Sequence, residues 1–127
     1  MEIIKEDTYE EMAATYQCLE IARLNEVLKR HGITDVALRQ QICSDHISDT
    51  GYFLDACWFK SGGKKLYPDL CFAERSAGEG GHRGEIEKLH VRSDMFDFHD
   101  YAFGAIDWYF EEHNEDASEV ETGDEYL

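Results

Sequence analysis

Bases, prolines and long apolar runs are all scarce in this chain. Only 12 Lys and Arg stand against 28 Asp and Glu among 127 residues, a formal net charge of −16 with His neutral. A surface so poor in cations repels DNA, RNA and anionic membranes, which disfavours direct nucleic-acid binding and favours basic partners. No apolar stretch approaches the ~18 to 20 residues of a membrane span, and residues 1–5 lack the charged-then-apolar pattern of a leader. A cytoplasmic location is expected. The four cysteines, Cys18, Cys43, Cys57 and Cys71, form no C-x-x-C pair. Each has apolar sequence neighbours, so four reduced, buried thiols are expected rather than two disulfides. Nucleophile and phosphate-loop motifs are lacking as well. There is no G-x-S-x-G, and the glycines 78, 80, 81 and 84 do not follow G-x-G-x-x-G, lead into an expected strand and carry Glu79 among them.

What the chain does have is apolar and aromatic content, 43% and 13%, enough for one domain with a core of its own. Residues 1–113 read as a single globular domain and residues 114–127 as an acidic, flexible tail. Tyr9, Met12, Ala13, Tyr16, Leu19, Leu24 and Leu28 recur at helical steps, with Glu10 and Glu11 in the first turn, Lys29 and Arg30 in the last, and Gly32 placed to end the helix. Asp35 opens a second helix carrying Val36, Leu38, Ile42, Cys43 and Ile47, expected to end near Asp49, Thr50 and Gly51. Residues 52–59, 65–75 and 84–91 read as three strands of a meander, the first covered on both faces and the second interrupted in some way by Pro68. Ser93 or Asp94 is expected to cap a final helix rich in aromatics, and the opposed dipole suggests fraying at Glu111 and Glu112. The expected fold is α+β in the order ααβββα, a three-stranded antiparallel sheet packed by an N-terminal helical hairpin and a C-terminal aromatic helix.

Charge and histidine supply the candidate sites. Residues 111–127 hold eight of the 28 acids and no base, so this stretch and the preceding 110 residues each carry −8. Asp97, Asp100, Gly104, Asp107 and Glu111 step by three and four along the last helix as one polar stripe. That stripe, continued by Glu112, Glu115, Asp116, Glu119 and Glu121, is the candidate partner-binding surface. Spaced carboxylates on a helix suit a basic groove that otherwise takes nucleic acid, and steering raises the association rate. The favoured reading is an acidic protein-interaction module, an inhibitor or immunity-type protein that mimics DNA. Asp45, His46 and Asp49 form the best acid and histidine cluster, able in principle to share a metal or a general base. They motivate the alternative of a small metal-dependent enzyme or ligand-binding domain, although zinc needs ligands for which no matched second pair exists. No resident metal or cofactor is expected. A homodimeric assembly subunit is the second alternative.

Overall fold

The computed structural model describes residues 1–79 and 83–124; Gly80, Gly81 and His82 of the glycine-rich loop, and Glu125, Tyr126 and Leu127, lie outside the described residues. The chain runs β1 (Glu2–Ile4), α1 (Thr8–Arg30), α2 (Val36–Ala56), β2 (Phe59–Ser61), β3 (Lys64–Leu66), β4 (Phe72–Arg75), β5 (Ile86–His90), α3 (Phe98–Ile106) and a π-helical segment, Asp107–Glu112. The architecture is α+β with the helical and strand blocks in the expected order.

Three helices form the centre. Along α1, Tyr9, Ala13, Gln17, Ile21 and Asn25 are buried at steps of four, and along α2, Arg39, Cys43, Ile47 and Gly51 repeat that step. A four-residue repeat keeps one narrow stripe of each helix inward. α1 ends as expected, with Gly32 in the left-handed region at φ 81°, where the missing Cβ removes the penalty. Asp35 caps α2, its carboxylate accepting from the amides of Ala37 (3.0 Å) and Leu38 (3.5 Å). α3 lies on both helices, and Cys18, Ile21, Cys43, Ile47, Ala102, Ile106 and Tyr109 join in the larger apolar cluster. A second cluster of Tyr9, Ala13, Phe96 and Phe98, with Leu54, Leu70 and Phe72 against it, ties the sheet to the helices. Phe96 and Phe98 meet edge to face at 4.7 Å, and Phe96 meets Tyr9 likewise at 5.3 Å.

Four expectations need correction. α2 does not stop near Gly51 but continues to Ala56, so most of the expected strand 52–59 is helix. Gly51 reads as a terminator, yet it is buried because the backbone of α3 passes directly over it. A Cβ there would lie 3.2 Å from the Phe98 carbonyl carbon and from the His99 nitrogen. The sheet is mixed rather than antiparallel: its order is β1-β5-β4, with β1 parallel to β5 and β4 antiparallel to it. Residues 2–4 are too few to declare a strand by pattern, and their partner lies more than eighty positions away. The expected strand 65–75 divides at Pro68 into β3, which pairs with β2 in a separate hairpin, and β4, which joins the sheet. Finally, all four thiols are free, but only Cys18 and Cys43 are buried, Cys57 is half-buried and Cys71 is exposed. Burial pushes the Cys18 and Cys43 thiols up to about 11.

No helix of the described residues is long and apolar enough to cross a membrane.

Candidate functional site

The acidic face is carried by α3, and the position of α3 is fixed at its two ends by polar junctions. Its first turn leaves amides without intrahelical partners. Asp97, not Ser93 or Asp94, is the capping residue and accepts from the His99 amide at 3.0 Å. A second carboxylate comes from the last turn of α2: Asp55 accepts from the Phe98 amide at 3.0 Å and from the His99 amide at 2.8 Å. Arg92, leaving β5, pairs with Asp55 at 3.0 Å, donates to the Leu54 carbonyl at 2.9 Å and lies 4.6 Å over the Phe98 ring. Burial and the adjacent Asp97 push the Asp55 carboxyl up against the pull of the two amides. Asp97 is held below the usual carboxylate range, first by its side-chain interaction with Asp55 and further by the amide of His99. Beside this junction a cleft of about 390 Å³ is lined by Asp55, Asp69, Arg92, Ser93, Asp94, Phe96 and Asp97.

The far end is fixed by a buried network. Asn25 of α1 accepts from Arg39 Nε at 2.9 Å and donates to the Tyr109 hydroxyl at 3.2 Å and to Glu115 Oε1 at 2.9 Å. Arg39 Nη2 reaches that same Glu115 oxygen at 2.8 Å, and its Nη1 donates to the Ile33 carbonyl at 2.9 Å. The Arg39 hydrogen bond, aided by Asn25 and Lys29, holds the Glu115 carboxyl below its ordinary range. To bring this carboxylate inward the backbone leaves the helix through a π-helical turn. The His113 amide bonds the Trp108 carbonyl at 3.0 Å and the Glu115 amide bonds that of Tyr109 at 2.9 Å. Asn114 and Glu115 both take positive φ, 48° and 63°. Such values are uncommon for a residue with a long side chain and persist where surrounding contacts over-determine them.

Between these ends the outward side of α3, with the residue that follows it, carries Asp100, Phe103 and Asp107, which share one face at steps of three and four. All are exposed, and Phe103 shows 57% of its surface. The neighbouring Gly104 opens the surface further, since a Cβ there would meet nothing within 4 Å. His99 stands edge-on to Phe103 at 6.4 Å. Glu111, which accepts from Gln40 at 2.9 Å, and Glu112 extend the acidic margin. Compared with protein-family models, with curated proteins and with solved structures, the chain matches none.

The remaining candidates divide by where their side chains go. Asp97 and Glu115 are half-buried and engaged in the junctions above, so the free surface is smaller than the sequence stripe. Asp116, Glu119 and Glu121 are exposed. Asp116 accepts from the Ser118 amide at 2.9 Å, and Glu119 lies 3.3 Å from His113 Nε2. Glu121 borders a groove of about 1660 Å³ that Arg23, Arg30, Arg75 and Arg83 also line. Asp45 and Asp49 project into solvent, while His46 turns toward α1, where its Nε2 is 3.3 Å from Glu20. These three do not converge, and among the described residues no group of three or more His, Cys, Asp or Glu is placed to hold a metal. Sequence reasoning missed Asp55, Asn25 and Arg39. Each stands one four-residue step from the inward stripe of its helix, Asn25 after Ile21, Arg39 before Cys43 and Asp55 after Gly51, and that is the signal that marks an internal polar partner.

Proposed function

We propose that this protein is an acidic interaction module that occupies a basic, nucleic-acid-binding surface of a partner protein, as an inhibitor or immunity-type factor. The observation that carries this reading is Phe103, an exposed aromatic anchor between Asp100 and Asp107 on a helix fixed at both ends. A large apolar side chain ringed by charges is the composition of an interface centre with its rim. The carboxylates supply what phosphates supply to a basic groove, and a net charge of −16 steers the encounter. Asp107, Glu111 and Glu112 at the C-terminal end of this face add to the negative end of the helix dipole, so the local field is stronger than a count of side chains implies.

The test is capture of a partner from lysate by the full chain, followed by competition of that partner's DNA or RNA binding. Replacing Asp100 and Asp107 by Lys, or Phe103 by Ala, is expected to weaken binding at least ~10-fold, about 1.4 kcal/mol. A partner with no basic surface, or binding indifferent to salt between roughly 50 and 500 mM, would sink the reading.

A further inference from the structure

The β2–β3 hairpin is the part of the molecule that its own core explains least. Every residue of both strands is exposed, and the hairpin's extensive contacts are between its own two strands. An isolated two-stranded hairpin is marginal in water, and both of its outer edges offer unpaired backbone groups. Its aromatic and apolar side chains also lie in the open: Trp58 is 46% exposed, Phe59 47%, Leu66 41% and Tyr67 64%. A cluster of this kind on a soluble surface marks an interaction site. The same hairpin carries Lys60, Lys64 and Lys65, three of only 12 bases in a chain of net charge −16. Lys65 Nζ sits 4.4 Å over the Trp58 ring and 5.6 Å from that of Tyr67, so cation and aromatics form one surface.

Such an arm fits a surface that is acidic with an apolar centre. This molecule itself presents one, the face of Asp100, Phe103 and Asp107 on α3. We propose that the β2–β3 hairpin is a docking arm for a second copy of this chain. Lys60, Lys64 and Lys65 meet Asp100 and Asp107 of that copy while Trp58 packs on its Phe103. Arm and face are different patches, and two copies related by a two-fold axis make the contact twice and close the assembly. The net charge of each copy opposes association, but at physiological salt the Debye length is about 8 Å, so the local complementarity governs contact. The dimer is therefore weak and concentration-dependent. It does not rest on the proposed function: the arm contact stands or falls whether or not a basic partner also uses the face.

Sedimentation velocity on the full chain from about 10 µM to about 1 mM tests it, a range that brackets affinities of the expected order. The wild type is expected to pass from monomer to dimer. A triple variant, K60E/K64E/K65E, and a face variant, D100K/D107K, are each expected to raise the dissociation constant at least ~10-fold. Mixed together they restore a dimer, because each contact in the mixed pair again joins opposite charges. All these positions are exposed, and matching circular dichroism confirms the fold; were the triple Glu variant to misfold, the K60Q/K64Q/K65Q variant is expected to weaken the dimer to a smaller degree. A wild type that stays monomeric at about 1 mM overturns the proposal, as does a dimer indifferent to both variants. Binding of an added acidic peptide by the arm, without self-association, also overturns it in favour of a different acidic partner.

Discussion

Glu115 shows how much one side chain decides. Its carboxylate is the meeting point of Arg39, Asn25 and Lys29, and its amide bonds the Tyr109 carbonyl, so contacts on both side chain and backbone surround its positive φ. Glu115→Gln keeps the shape and removes the charge that Arg39 faces. Breaking a buried pair costs about 3 to 5 kcal/mol, and because Glu115 retains 21% exposure the expected loss here is smaller, about 1 to 2 kcal/mol at pH 7. Since Arg39 depresses the Glu115 carboxyl, the pair's stabilisation is complete above the ordinary glutamate value of about 4.3 and disappears as pH falls through the lower folded value. Urea unfolding of wild type and variant from pH 7 down to pH 3 should therefore show two stability curves that converge at the acid end. A gap that persists at low pH would mean that shape, not charge, is what Glu115 provides. None of this was legible in the sequence, where Glu115 is one acid in an acidic run and nothing marks the one that turns inward.

At the scale of elements, α2 and α3 meet with the α3 backbone close over Gly51. Gly51→Ala sets two effects against each other. Alanine favours the helix over glycine by about 1 kcal/mol, but the new Cβ would press on the Phe98 and His99 backbone at 3.2 to 3.3 Å. That backbone cannot yield freely, because the Asp55 carboxylate holds both of its amides. The clash is expected to win, lowering stability by about 1 to 2 kcal/mol in a thermal or denaturant titration; a stabilised variant would show that α3 can slide. Periodicity made α1, the start of α2 and the existence of the last helix legible, because those segments repeat apolar residues at helical steps over many turns. It failed at residues 52–56. There a buried glycine imitates a stop and aromatic residues imitate a strand, while the deciding fact is the neighbour lying across Gly51. The mixed sheet was illegible for a related reason: strand pairing between residues 2–4 and 88–90 leaves no local trace.

For the molecule as a whole, charge is the governing quantity. A compact body with a net charge of −16 repels itself, and the repulsion is relieved by expansion or by salt. Raising sodium chloride from about 10 to about 150 mM shortens the Debye length from about 30 to about 8 Å and is expected to raise the melting temperature by several degrees. An unchanged or lower value would show that attractive pairs, such as Arg92 with Asp55 and Arg39 with Glu115, outweigh the net field. The acidic character itself was fully legible, being composition, whereas which acids face outward depended on the two junctions. The parallel pairing of β1 with β5 has one more consequence, which concerns the order of events during synthesis. Residues 2–4 must wait for more than eighty further residues before their hydrogen-bonding partner, residues 88–90, exists, whereas α1 and α2, joined by a short loop, can dock as soon as both have emerged. The sheet thus closes late, as the seal on an already assembled helical pair.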